Sequence, residues 1–424
     1  MPPIHIFRES AFINRTVSKS LGALVACAGL AIASLSVGGC GSHGNYTAEH
    51  LSGAKEKMGA LKAGTEFQMG HQAFLAGDLQ KALRHVDYSI ELSERVPRSH
   101  ILRGRIMMEA GNLEQANISF RRAEELDEKN VDAQYFRGVL AERLMRPEEA
   151  LTHYQAAAKL DVVNSQYVVA AAEMMIQLDR RDDAESYLNA NRGNFDHSPG
   201  IRQSLGHLAM LKGEYEAAEK LFFEATLLAP NDQPITEDLI HALMARGKFA
   251  GAETHLARLL SKAENKERRD LKHQRAICLL EIGKPADSRQ MYLSLTGDEA
   301  GNSDYEAWLG LARVSLKLKD GMRLREAAGR LVAMDADRAE GFVMRAMAQR
   351  MGGELSKASS NLEKALSIDE NPETLMLLGL VESERGNDAT ANRAFARALE
   401  IDPDNAQAVN LLSGGPVLAG ESPE

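Results

Sequence analysis

The chain has 424 residues, a formal net charge of −10 at pH 7, 44% hydrophobic residues and three cysteines. An acidic chain lacks the basic face that binding to nucleic-acid phosphates requires, so the charge disfavours a nucleic-acid partner. Three cysteines cannot supply the paired framework of a disulfide-stabilised protein.

The first 39 residues have the pattern of an export signal. Arg8, Arg15 and Lys19 form a basic start, and residues 21–37 are apolar with many small side chains. A basic start followed by a short apolar run is typical of secretory signals, which are removed from the mature protein. The sequence therefore predicts that residues 1–39 are a signal peptide and not part of the fold.

The signal ends in a four-residue motif, Val37-Gly38-Gly39-Cys40. This motif resembles the lipobox of bacterial lipoproteins, which implies cleavage between Gly39 and Cys40 and lipidation of Cys40. The alternative is an uncleaved anchor helix that contains a cysteine by chance. In either case, the sequence predicts an exported chain that is tethered to a membrane.

The residue that follows the proposed lipidation site suggests which membrane holds the anchor. In bacterial lipoproteins an aspartate at that position favours the inner membrane, whereas this chain has Gly41. The resemblance therefore favours an outer-membrane anchor facing the periplasm. Residues 40–62 would then form the lipidated tether and a preceding helix.

A strict period of 34 residues dominates the next part of the chain. Alanine recurs at this spacing, and a glycine or alanine usually precedes it by twelve positions. A fixed period of this length indicates a helical hairpin that is repeated along a solenoid, with small residues where the two helices approach closely. The alanines are Ala82, Ala116, Ala150, Ala184, Ala218 and Ala252, and the preceding small residues are Gly70, Gly104, Gly138, Ala172 and Gly206.

The pattern resembles the tetratricopeptide repeat family, whose signature is a small residue followed by Ala, an aromatic residue, Ala and Pro. Two copies match it most fully, namely Gly206, Ala218, Phe222, Ala225 and Pro230, and Gly379, Ala391, Phe395, Ala398 and Pro403. The resemblance implies an all-α, right-handed superhelical solenoid of about ten helix-turn-helix repeats. The predicted repeats begin near Ala63, Pro97, Val131, Ser165, Pro199, Gln233, Arg269, Tyr305, Ala339 and Pro372.

Two longer connections interrupt the regular spacing in the middle of the array. About two extra residues fall in 262–270 and about two more in 296–304. We expect a softer joint here, since a weak interface in a stack of repeats lowers cooperativity locally. The sequence thus predicts a block of six repeats at 63–268, a block of about four at 269–405, and a short cap with a flexible tail at 406–424.

The sequence offers little chemistry outside the repeats. It contains no Cys-x-x-Cys, no His-Glu-x-x-His and no phosphate-binding glycine loop. Cys278 falls inside a predicted first helix, where a buried, inert thiol is expected rather than a nucleophile. We therefore expect no catalytic residues, no cofactor, no metal and no small-molecule substrate.

The resemblance also implies that the first helix of each repeat lines a concave groove for a protein or peptide partner. The residues at the corresponding positions are apolar and rich in methionine, which suits a helix or an extended apolar peptide. Several of these methionines could instead fill the seams between hairpins. The groove positions are Phe67, His71, Phe74, Ile101, Arg105, Met108, Tyr135, His207, Met210, His241, Met244, His273, Arg313, Met347, Met351 and Met376.

The groove histidines allow two further interpretations, a metal site and a pH-dependent switch. His207 and His241 occupy equivalent positions one repeat apart. Zinc and copper sites need three or four convergent ligands, so two neighbouring histidines do not make a site. Histidine titrates near neutral pH in any case, and the sequence gives that titration no role.

These observations lead to a non-catalytic scaffold as the first functional hypothesis. The combination of a lipobox and repeats is seen in lipoproteins of pilus assembly and exopolysaccharide export. The alternatives are a periplasmic holdase that shelters apolar segments, and a module that recruits a cell-wall or polymer enzyme.

Overall fold

The computed structural model describes residues 45–412, with side-chain surroundings from Gly53 onward. The signal peptide, the proposed lipidation site at Cys40 and the tail after residue 412 lie outside the described residues. Within the described part, no helix is both long and apolar enough to cross a membrane.

The described residues fold into α-helices, joined in places by single 3₁₀ turns, with no strand among them. This confirms the all-α solenoid that the period predicted. The helices are α1 Asn45–Leu75, α2 Leu79–Leu92, α3 Pro97–Glu109, α4 Leu113–Leu126, α5 Val131–Arg143, α6 Pro147–Leu160, α7 Ser165–Gln177, α8 Arg181–Arg192, α9 Pro199–Leu211, α10 Tyr215–Leu228, α11 Gln233–Ala245, α12 Phe249–Leu260, α13 Arg269–Glu281, α14 Pro285–Thr296, α15 Tyr305–Lys317, α16 Gly321–Met334, α17 Ala339–Met351, α18 Leu355–Ile368, α19 Pro372–Glu384, α20 Asp388–Ile401 and α21 Ala406–Leu412.

The helices pair into successive antiparallel hairpins, from α1 with α2 to α19 with α20. From the second hairpin onward, each first helix begins at the residue where the period placed the start of a repeat. The first helix differs from the expectation. We predicted a separate helix before Ala63, whereas α1 runs without a break from Asn45 to Leu75, and no proline interrupts it.

Several hairpins close around a glycine. In α3 a Cβ on Gly104 would lie 2.4 Å from the Phe120 ring of α4, a distance that real Cβ atoms do not adopt. Glycine therefore leaves the space that the ring occupies against the first helix. The same contact recurs at 2.6 Å for Gly138 with Tyr154, 2.6 Å for Gly206 with Phe222 and 2.3 Å for Gly379 with Phe395.

The alanines of the 34-residue period lie on the other side of this crossing. All six, from Ala82 to Ala252, are fully buried. Phe120 also reaches the next hairpin, where its ring stacks on Phe136 at a centroid distance of 5.8 Å. The small residue, the alanine and the ring therefore join the two helices of one hairpin and attach that hairpin to its neighbour.

The turns inside the hairpins explain the recurring glycines. Gly111 has a φ of +78°, and the next residue, Asn112, donates its backbone N–H to the Met107 carbonyl at 2.8 Å. Glycine adopts this left-handed conformation without the steric cost that a Cβ introduces. Three repeats place another residue at the same point, with φ of 57° at Met145, 57° at Asp179 and 55° at Lys319, and the repeat pattern did not predict these.

The longer connections in the middle of the array bond to neighbouring helices. The buried Asn265 amide donates to the Gln233 side chain at 2.9 Å and to the Leu259 carbonyl at 3.1 Å. In the second connection, the Trp308 indole N–H donates to the Gly301 carbonyl at 2.9 Å. These bonds fix the path of both connections, and the softer joint stays a prediction.

Replacing Gly104 with alanine tests the packing of the hairpin crossing. The new methyl would meet the Phe120 ring, so we expect Gly104→Ala to lower the free energy of unfolding by about 1–3 kcal/mol. Gly329 is the matched control, because it lies in α16 with no atom within 4 Å of the position that a methyl would take. Gly329→Ala should raise stability by up to about 1 kcal/mol, since alanine favours helix. Urea unfolding measures both variants. Equal changes in their free energy of unfolding would contradict the close packing of Phe120 against Gly104.

The left-handed turn at Lys319 gives a second test. Glycine adopts φ of 55° more readily than lysine, so Lys319→Gly should raise the free energy of unfolding by up to about 1 kcal/mol. Lys317→Gly, at the last residue of α15, should lower it slightly, since glycine weakens helix propensity there. Thermal unfolding of the two variants measures both effects, and destabilisation by Lys319→Gly would show that the turn is not strained.

Candidate functional site

The first helices of the hairpins form one face of the array. Successive first helices contact each other directly, as α3 does with α5, α7 with α9, α9 with α11, α13 with α15 and α15 with α17. No pair of successive second helices is in comparable contact in the described part of the chain. The first helices therefore lie closer together than the second helices, and we call the surface that they form the inner face.

Three of the predicted groove residues do not line this face. Ile101, Met108 and Met376 are 6%, 3% and 6% exposed and belong to the cores of their hairpins. Met108 packs with Phe120 and Phe136, while Met376 packs with Phe395. The groove prediction is wrong for these three, because their side chains fill the seam between a first helix and its neighbours.

The other thirteen predicted residues all have solvent-accessible side chains, either half-buried or exposed. Their role in partner binding stays a prediction. They are Phe67, His71, Phe74, Arg105, Tyr135, His207, Met210, His241, Met244, His273, Arg313, Met347 and Met351.

Two arginines and three aromatic side chains meet at the start of the inner face. Phe67 stacks on His71 with ring centroids 6.2 Å apart, and the Arg98 guanidinium lies 4.9 Å from the centre of the Phe67 ring. The Arg105 guanidinium lies 5.0 Å from the Phe74 ring. We call these five residues the arginine–aromatic cluster. The sequence pointed to four of them and missed Arg98, which follows the proline at the start of α3.

Burial lowers the pKa of two members of this cluster. Burial lowers the pKa of Arg105, and nearby Asp132 and Glu109 only partly oppose that effect. Burial, with a smaller contribution from the Arg105 charge, also lowers the pKa of His71. His71 therefore adds little positive charge at neutral pH, and the arginines supply the charge of the cluster.

Tyrosines and carboxylates occupy the next part of the inner face. The Tyr135 ring lies 5.8 Å from Tyr154 and 5.3 Å from Tyr167, and the Tyr154 hydroxyl donates to Glu142 at 2.8 Å. The surrounding protein and the charge of Glu142 raise the pKa of Glu173 to about 7. Neither glutamate was identified from the sequence, although Glu173 occupies the position equivalent to His207 one repeat earlier.

Three groove histidines bond to residues of the following hairpin. His207 Nε2 lies 3.0 Å from an Asp238 carboxylate oxygen, and His273 Nε2 lies 3.0 Å from one of Asp304. His241 Nε2 lies 3.0 Å from the Gln274 amide nitrogen. Across the described residues, no three His, Cys, Asp or Glu side chains are grouped to hold a metal. The histidines join neighbouring repeats.

The one cysteine in the described part is a structural residue. Cys278 is fully buried in α13 among the apolar side chains of the core. Burial raises the pKa of its thiol to about 12, so it carries a proton at neutral pH. The prediction of a buried thiol is confirmed.

Comparison with known protein families agrees with the hairpin geometry. Residues 101–161 match the tetratricopeptide repeat family. This segment contains the Gly104–Phe120 and Gly138–Tyr154 crossings, and the same arrangement recurs in later hairpins. These residues form two tetratricopeptide repeats. Proteins built from these repeats generally bind other proteins and are generally not enzymes.

Solved structures include several repeat arrays of this kind at low identity. A tetratricopeptide repeat protein from Parabacteroides merdae is 19% identical, with a TM-score of 0.43, over 60% of this chain and 99% of its own. PilW, a type IV pilus biogenesis factor, is 18% identical, with a TM-score of 0.42, over 48% of this chain and 95% of its own. At these scores the similarity carries no information about function. No curated protein matches this chain.

The raised pKa of Glu173 predicts a pH dependence. Because the carboxyl titrates near pH 7 in the folded chain and near 4.5 in the unfolded chain, its ionisation lowers stability as pH rises through that interval. Glu173→Gln should therefore be more stable than the parent chain at pH 8, and this advantage should shrink toward pH 5. We expect less than about 1 kcal/mol, since the side chain contacts solvent.

Urea unfolding at the two pH values measures this difference. Glu363→Gln is the control, because Glu363 is an exposed glutamate on α18, a second helix away from the inner face. The control should change stability equally at both pH values. A Glu173→Gln variant that behaves in the same way would contradict the raised pKa.

Proposed function

We propose that this tetratricopeptide repeat protein is a non-catalytic scaffold of the bacterial cell envelope. A lipid on Cys40 would hold it at the membrane, with the outer membrane and a periplasmic orientation favoured by Gly41. The inner face would gather partner proteins of a machine that exports a protein or a polysaccharide or assembles a pilus. The lipobox at the end of an apolar signal supports the anchoring part of this proposal.

The observation that carries the binding part is the composition of the inner face. Aromatic and methionine side chains, from Phe67 in α1 to Met351 in α17, remain accessible to solvent along the first helices. Accessible apolar side chains that follow a repeated surface are typical of a protein-binding site. Methionine is unbranched and polarizable, so this surface can adapt to the side chains of a partner.

Affinity purification of the tagged full-length chain from cells tests the scaffold. The proposal predicts a defined set of envelope proteins that stays bound through washing and appears in constant ratios. The accessible methionines, including Met244 and Met347, also suit a holdase that binds many unfolded chains. The holdase would be the better account if a broad set of unrelated proteins is retained and the purified protein suppresses aggregation. The scaffold would then be contradicted. If nothing is retained, both are contradicted.

The anchor is tested by removing the proposed lipidation site. Cys40→Ala should abolish incorporation of radiolabelled palmitate and move the chain from the membrane fraction to the soluble fraction or leave an unprocessed precursor. Cys27→Ala changes a cysteine inside the same signal and should leave labelling and fractionation unchanged. Full palmitate labelling of Cys40→Ala would overturn the proposed anchor.

A further inference from the structure

The helix α1 is longer than the first helices of the later hairpins. It has 31 residues, whereas α3, α5 and α7 have 13 each. The first predicted repeat begins near Ala63, so residues 45–62 of this helix precede it. We call residues 45–62 the leading segment. Because the repeats begin after it, the packing of the hairpins does not account for the leading segment.

Apolar side chains of the leading segment are exposed along one stripe. Ala54, Met58 and Leu61 stand at i, i+4 and i+7, which is the spacing of one helix face. Met58 is 61% exposed and Leu61 is 74% exposed. A Cβ on Gly53 would meet no atom within 4 Å, and glycine inside a helix lowers its stability by about 1 kcal/mol relative to alanine. A surface that takes up the stripe would therefore stabilise this part of the helix.

Charged side chains are distributed unevenly around the stripe. Lys55, Lys57 and Lys62 are exposed and lie within about 90° of its centre, with at least one on each flank. Glu56 is exposed at about 170° from the centre, on the far side of the helix. The leading segment has three lysines and two glutamates, although the whole chain has a net charge of −10. Lysines beside an apolar stripe are typical of helices that lie in the interface of an anionic membrane.

The same arrangement of lysines disfavours a second copy of the chain as the partner of the stripe. If two copies paired stripe to stripe, the flanking lysines of one helix would face those of the other, in parallel and antiparallel pairs alike. Like charges at such positions destabilise a helix pair. The phosphates of anionic phospholipids instead offer the opposite charge to both flanks at once.

The proposed lipidation site lies close to the leading segment along the chain. Four residues separate Cys40 from Asn45, the first residue of α1. Even when fully extended, this connection spans at most about 18 Å. A lipid on Cys40 would therefore keep the start of the helix within reach of the phospholipid headgroups.

We infer that the leading segment lies along the surface of a membrane that contains anionic phospholipid. Met58 and Leu61 enter the boundary of the acyl chains, and the flanking lysines contact the phosphates. The protein is then held at the membrane by a helix face as well as by its lipid. This inference rests on the proposed function, because the lipid on Cys40 brings the leading segment to the membrane.

Fluorescence quenching in vesicles tests the inference. The chain is purified from bacterial membranes and reconstituted into phosphatidylethanolamine vesicles with or without phosphatidylglycerol. Met58→Cys carries a nitrobenzoxadiazole label, and a doxyl phospholipid quenches labels that enter the lipid. With phosphatidylglycerol we expect quenching on the order of twofold stronger than for the same label in Glu56→Cys, on the far side of the helix. The parent chain reports background labelling, since Cys278 is buried and its thiol is protonated.

Replacing the three flanking lysines tests the contribution of their charge. Each lysine near an anionic surface favours the bound form about fivefold, so changing all three to glutamine should remove most of the quenching at position 58. The matched control loses the same charge but should keep the quenching. It changes three exposed lysines of second helices to glutamine, namely Lys159, Lys220 and Lys364. Circular dichroism should show that both variants fold, since all six lysines are exposed.

The outcomes separate this inference from the proposed anchor. Equal quenching at positions 58 and 56, or quenching that depends on neither phosphatidylglycerol nor the flanking lysines, would overturn the inference and leave the anchor intact. A label at position 58 that is already in apolar surroundings without vesicles, in a chain of doubled mass, would assign the stripe to a second copy and also overturn the inference. A chain that carries no lipid but shows the expected quenching would support the inference and contradict the anchor. A chain that carries no lipid and does not sediment with the vesicles would contradict both.

Discussion

The close crossing of two helices in each hairpin is the constraint on which the rest of the structure depends. Where the first helix has Gly104, the Phe120 ring lies in the space that a Cβ would otherwise occupy, and the same ring stacks on Phe136 of the next hairpin. One aromatic side chain thus sets both the angle within a hairpin and its contact with the next. Repetition of this contact brings the first helices together and creates the inner face.

Much of this fold could be predicted from the sequence, because the crossing requires specific residue types at fixed spacing. The 34-residue period predicted where the first helices begin. Met145, Asp179 and Lys319 escaped prediction because a left-handed turn at a residue with a side chain leaves no local pattern. The continuous helix α1 escaped it because a repeat boundary does not itself require a break.

The candidate site was harder to predict, since a position on a helix does not determine how deeply its side chain is buried. Ile101, Met108 and Met376 share positions with accessible residues of other repeats, yet they point into cores whose neighbouring side chains leave room. Arg98, Glu142 and Glu173 acquire their significance from residues in other hairpins. Contacts such as Arg105 with Phe74 and Phe136 depend on three repeats at once, and one period cannot reveal them.

Photo-crosslinking in living cells tests most directly whether the inner face binds a dedicated partner. A photoreactive amino acid would replace Met244 and Met347 on first helices, and Ile118 and Phe223, which are 51% exposed on second helices, would serve as controls. The account predicts one dominant protein adduct from the inner positions and none from the outer positions. Adducts from the outer positions alone, or a broad mixture from every position, would contradict it.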